Sequence, residues 1–119
     1  MPRSNDDNTP LTRGLFHVLL ALADGDKHGY AILKDISQRT DGEVRLGTGT
    51  LYGIIKRLLA EGLIEESRRR PPAERDDERR IYYHLTGAGR QAALAEAERL
   101  ERTVALARVK RLLPKPSSA

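Results

Sequence analysis

The sequence predicts a mainly α chain with a small β-hairpin and one long helix at its C-terminal end, and three observations carry that prediction. Residues 46–64 place Leu51, Ile54, Ile55 and Leu58 at three- and four-residue steps and then reach Gly62, the pattern of an amphipathic helix with a left-handed stop. After Gly62 the period changes from helical to alternating, which marks strands. From Thr86 to about Leu113 the chain is mostly alanine, leucine, glutamate and arginine, all strong helix formers, until Pro114 stops it.

In chain order, residues 1–9 are polar and read as a disordered N-terminal tail. A first helix can start with Thr9 as cap and Pro10 in the first turn, where its missing donor costs nothing. Leu11, Leu15, Val18 and Leu22 form one stripe, and Phe16, Leu19, Leu20 and Ala23 nearly complete the circumference, so more than one neighbour should bury this helix. Asp24-Gly25-Asp26 is a turn. The second helix is expected from Lys27 or His28 to Gln38, with His28 as a turn or cap residue, and Thr40-Asp41-Gly42 ends it. Two short helices joined by a brief Gly-containing turn, the second carrying the cations, form a helix-turn-helix pattern.

The outer side of the helix in residues 46–64 carries Thr48, Thr50, Gly53, Lys56 and Arg57, with no acid before Glu61. Such a face suits an anionic partner, and one α-helix fits a DNA major groove of about 12 Å. Residues 63–70 and 79–85 are expected to pair as strands, with Ile81, Tyr83 and Leu85 on one side and Thr48 capping the preceding recognition helix. They make the pattern a winged helix-turn-helix, residues 10–85, with the polar loop 71–78 at the wing tip. Arginines stand at both wing roots, among them Arg68, Arg70, Arg79 and Arg80, placed to hold phosphates. The alternative is a hairpin whose arginines pair with Glu74, Asp76, Asp77 and Glu78.

Residues 86–113 then form the expected dimerisation helix, capped by Thr86 and followed by a short tail, 114–119. Ala93, Ala97, Leu100, Val104 and Ala107 recur at alternating four- and three-residue steps, a short heptad-like seam. At about 25 residues this helix spans nearly 40 Å, so part of it should pack on the first helix and part on a second copy. Leu15, Phe16 and Leu19 of the first helix are expected to join that interface.

Composition narrows the function. Lys plus Arg number 21 against 17 Asp plus Glu, a formal charge of +4 that is compatible with nucleic acid. With no cysteine, thiolate zinc sites and cysteine nucleophiles are excluded and a reducing compartment fits. Residues 1–8 lack an apolar signal core and the longest apolar run, Val18 to Ala23, is too short to span a bilayer, so a cytoplasmic setting is expected. His17, His28 and His84 are too scattered for a metal site, and no Gly-rich phosphate loop or nucleophile-base spacing occurs, so neither an enzyme nor a cofactor is expected. A winged helix that binds protein in place of DNA would show an apolar recognition face, against which Thr50, Lys56 and Arg57 argue. Within the DNA reading, Arg57 suits a base edge and Tyr52 either a phosphate or a partly buried packing position.

The runs Gly49-Thr50-Leu51-Tyr52, Lys56-Arg57-Leu58 and Glu61-Gly62-Leu63-Ile64 can be set beside His28-Gly29-Tyr30 upstream and Arg80 to Gly89 downstream. With these, residues 11–110 resemble the PadR family of bacterial transcriptional regulators, in the short subgroup with a single C-terminal helix. The resemblance implies a homodimer on double-stranded DNA that represses a promoter until a small molecule or another signal releases it. It also implies that Thr50, Tyr52 and Lys56 touch DNA and that Tyr30 lies near the phosphates. Thr48 and Gly53 stand where the family commonly has proline.

Overall fold

The computed structural model describes residues 11–67 and 80–115. In chain order these form α1 (Arg13–Leu22), β1 (Lys27–His28), α2 (Gly29–Arg39), α3 (Thr48–Ala60), β2 (Ile64–Glu66), β3 (Tyr82–Leu85) and α4 (Gly87–Val109). The expected tail 1–9, the cap at Thr9, the wing arginines Arg68, Arg70 and Arg79 and the loop 71–78 lie outside the described residues.

Helix α1 begins later than Thr9-Pro10 would have it. Thr12 caps it, its hydroxyl accepting the Leu15 amide at 3.2 Å. Leu11 is drawn away from the helix because its amide donates to the Glu96 carboxylate of α4 at 3.2 Å. The nearly all-apolar surface of α1 is used as anticipated: α2, α3, α4 and β3 all pack on it. Leu15 and Leu19 retain 6% and 0% of their exposure, so the protomer's own core has consumed two side chains expected at the dimer interface. Phe16, half-buried, is the one of that trio still reachable.

His28 caps α2, its Nδ1 facing the Ala31 amide at 3.2 Å. At the other end the Thr40 hydroxyl donates to the Ile36 carbonyl and accepts the Val44 amide, and Asp41 and Gly42 turn the chain at φ 53° and 79°. Helix α3 is capped by the Gly47 backbone, with Thr48 as its first helical residue and not its cap. Leu51, Ile55 and Leu58 enter the core, and the helix closes at Gly62, whose φ of 74° lets the Leu63 amide reach back to the Leu58 carbonyl at 3.0 Å.

The sheet has three antiparallel strands in the order β1-β3-β2. Ile64 pairs with Leu85 and Glu66 with Tyr83 on one side, while Lys27 pairs with Tyr83 and His28 with Tyr82 on the other. The added strand explains a departure from the expected alternation. Tyr82 is buried because its ring meets His28 edge-on, centroids 5.2 Å apart, whereas Ile81 precedes the strand and is exposed. Among the described residues strand β2 runs from Ile64 to Glu66, and beyond it the Ser67 amide still donates to the Tyr82 carbonyl at 2.7 Å.

Thr86 caps α4 by accepting the Gly89 amide, and its hydroxyl donates to the Gly62 carbonyl, tying the end of α3 to the start of α4. The helix stops at Val109, before Pro114. Arg111 takes φ 65° and the Leu112 amide turns back to the Ala107 carbonyl, a left-handed closure made without glycine. Ala93 and Glu96 pack the first part of α4 toward α1, while Leu100, Leu106 and Val109 farther along are exposed among the described residues.

Glu96 fastens that first part. It is 6% exposed, it takes the Leu11 amide and it pairs with Arg99 through both carboxylate oxygens. The hydrogen bond from Arg99, with help from the Leu11 amide and against burial, holds its pKa below the ordinary carboxylate value. A depressed folded pKa gives stability that is complete above the unfolded value, about 4.3, and is lost as pH falls through the folded one. Glu96→Gln should therefore cost about 1–2 kcal/mol at neutral pH. Urea titrations across the acid range should show the difference from wild type shrinking below about pH 4.3.

Candidate nucleic-acid interface

Helix α3 divides as its sequence predicts. Leu51, Ile55 and Leu58 are buried, and Thr48, Thr50, Tyr52, Lys56 and Arg57 are exposed on the opposite side together with Gly49 and Gly53. No acidic residue lies within α3, and a Cβ placed on Gly49 or Gly53 would meet nothing within 4 Å. A flat, open stretch of backbone thus sits between hydroxyls and cations. The two cations are not equivalent. Arg57 Nε donates to Glu61 at 3.0 Å one turn on, so part of its charge is already balanced, while Lys56 makes no ion pair among the described residues.

Tyr52 reaches out of α3 and packs on α2 at once. It is 47% exposed, yet its phenol lies on the Cα of Gly29 at the start of α2, so that a Cβ there would overlap the phenol oxygen and stand 2.9 Å from Cζ. Glycine at position 29 leaves the room that the end of the Tyr52 side chain occupies. Tyr30, the next residue, is 64% exposed. Tyr30 thus follows directly on Gly29, the residue at the start of α2 against which Tyr52 of α3 lies.

Among the described residues, two side-chain links tie the wing root to the body. Asp26 receives the Ser67 hydroxyl at 2.6 Å on one carboxylate oxygen and faces His84 Nδ1 at 3.0 Å with the other. A carboxylate between a serine and a histidine cannot activate the serine as a nucleophile, for which the imidazole must stand in the middle. The arrangement joins the α1–β1 turn to β2 and β3. The second anchor is Arg80, whose Nη1 lies 2.7 Å from His28 Nε2. Among the described residues no three metal-ligating side chains converge.

Of the residues expected at a self-association surface, Ala97 and Leu100 are exposed, Ala93, Val104 and Ala107 are half-buried, and Leu15 and Leu19 belong to the core. Three features had no forewarning in the sequence: the buried Glu96, the Asp26 link to His84 and the His28 contact with Arg80. Each joins residues more than 50 positions apart, and no local period signals such a pair.

The model of the transcriptional regulator PadR-like family matches residues 18–95. An uncharacterized 37.1 kDa protein in transposon TN4556 of Streptomyces fradiae is 45% identical over 89 residues, 71% of this chain, and this chain spans 22% of that protein's length. Among solved structures, a transcriptional regulator from Clostridium thermocellum superposes with a TM-score of 0.67 at 28% identity, covering 86% of this chain and 90% of its own. A PadR family transcription regulator from Clostridium difficile R20291 does so with a TM-score of 0.62 at 26% identity, covering 86% of this chain and all of its own.

Proposed function

This chain belongs to the PadR-like family of transcriptional regulators, and from that premise we propose that it is a homodimeric repressor of a near-palindromic operator. The observation that carries the proposal is the open, acid-free outer face of α3 with Lys56 at its centre. Thr48, Thr50, Lys56 and Arg57 approach base edges in the major groove, and Tyr30 and Tyr52 donate to phosphates beside them. Arg68, Arg70, Arg79 and Arg80 supply sequence-indifferent affinity from the wing. If about six phosphates per dimer are neutralised, log affinity falls with log salt at a slope of roughly −5.

Self-association runs along α4, where the exposed Leu100, Leu106 and Val109 continue the seam of Ala97, Val104 and Ala107, with Phe16 at its edge. Two such protomers set their α3 helices about 34 Å apart, one turn of DNA. A small-molecule or other signal that changed this spacing through α4 would release the operator.

Selection of bound fragments from random duplexes tests the reading. Two related half-sites, one helical turn apart, are expected. Repeating the selection with Arg57→Ala assigns that residue: loss of preference at one base step per half-site makes it a base reader, and uniform weakening makes it a phosphate contact. Failure to enrich any sequence, with binding indifferent to salt, would overturn the proposal.

A further inference from the structure

His28 retains 8% of its exposure, and each of its ring nitrogens meets a hydrogen-bond donor. Nδ1 stands 3.2 Å from the Ala31 amide nitrogen and Nε2 2.7 Å from Arg80 Nη1. Both neighbours are donors only. A neutral imidazole has one ring lone pair to offer, its other nitrogen bearing a proton, and a charged one has none. The ring can therefore satisfy one claimant at a time, and the remaining contact then sets donor against donor.

The claimants belong to different parts of the molecule. The Ala31 amide is one of the unpaired donors of the first turn of α2, beside Gly29, on which Tyr52 of α3 rests. Arg80 lies at the root of the wing, just ahead of β3. The shorter distance is on the Arg80 side, so in the protein alone the wing holds the lone pair and the cap of α2 is the looser contact.

We propose that His28 is a positioning residue shared between wing and α2, releasing Arg80 to a DNA phosphate and then capping Ala31 in full. The ring stays neutral throughout: the proton on Nδ1 is lost to water, another is taken up at Nε2, and the lone pair appears at Nδ1. Engagement of the wing thus firms the turn against which Tyr52 is set. The coupling to DNA rests on the operator reading given above, whereas the sharing of the ring between two donors does not.

The test uses the full chain and two nuclear magnetic resonance readouts, the ring-nitrogen shifts of His28 and hydrogen exchange at the Ala31 amide. Arg80→Ala, with no DNA present, should move the ring proton to Nε2 and slow Ala31 exchange about fivefold, the factor an ordinary helix cap gives. A mixed-sequence duplex at low salt should do the same to the wild type. His28→Asn, which caps a helix equally well but offers Arg80 no ring nitrogen, should keep Ala31 exchange slow under every condition.

A purely structural histidine would leave Ala31 exchange indifferent to Arg80. Unchanged readouts in Arg80→Ala overturn the sharing without any reference to DNA. A duplex that binds the wild type and leaves both readouts where they were overturns the coupling. A duplex that does not bind at all overturns the operator reading and the coupling with it, and the Arg80→Ala result still decides the sharing.

Discussion

Lys56→Glu is expected to weaken duplex binding by at least about 100-fold at low salt while leaving thermal stability within about 0.5 kcal/mol of the wild type. The side chain is exposed in the middle of α3, and among the described residues nothing neutralises it. A lysine that meets a base edge contributes about 1–3 kcal/mol of discrimination, and a dimer presents it twice, so two lost contacts already approach a factor of about 100. Glutamate adds an anion facing phosphates. Its helix propensity is close to that of lysine, so the fold should not register the change. Fluorescence anisotropy with the selected operator, alongside a melting curve, measures both quantities. Binding within a few fold of wild type would mean that this face of α3 does not meet DNA.

The contrast between Lys56 and Arg57 also shows where reading the sequence succeeds. The face itself was legible, because Leu51, Ile55 and Leu58 fix which side of α3 is core and leave the other side determined. The Arg57–Glu61 pair has i, i+4 spacing and was in principle legible too, but Glu61 was read only as the acid that bounds the cationic face. The start of α1 was not legible. Thr9 and Thr12 offer the same cap three residues apart, and the position of Leu11 is settled by a carboxylate 85 residues away. Strand β1 is two residues long, too short to express a period, and it is also what buries Tyr82 and breaks the expected alternation of β3. That Leu15 and Leu19 are spent in the chain's own core was hidden for a related reason. A helix apolar on nearly every side announces that it has several neighbours without saying whether they belong to the same chain.

The glycines of the helices give the sharpest test of the packing, because one substitution is expected to change sign from site to site. At Gly89, in the first turn of α4, a Cβ would overlap the Leu63 backbone carbonyl and stand 2.8 Å from Leu85 Cδ1. The Leu85 methyl can rotate away. The carbonyl cannot, since the Leu63 oxygen accepts the Thr86 amide at 3.1 Å and the neighbouring Gly62 carbonyl accepts the Thr86 hydroxyl. Gly89→Ala must therefore push α4 off the β2 root, at a cost of about 3 kcal/mol that the gain in helix propensity, about 1 kcal/mol, offsets only in part. The expected outcome is a melting temperature lowered by roughly 10 °C. At Gly53, in the exposed face of α3, the space around a Cβ is empty, so Gly53→Ala should gain up to about 1 kcal/mol and melt higher. The same alanine would stand the α3 backbone farther from any surface it approaches, so operator affinity should fall while stability rises. A variant at Gly53 that gained in both respects would show that the backbone of α3 keeps its distance from the groove, and that its side chains alone do the reading.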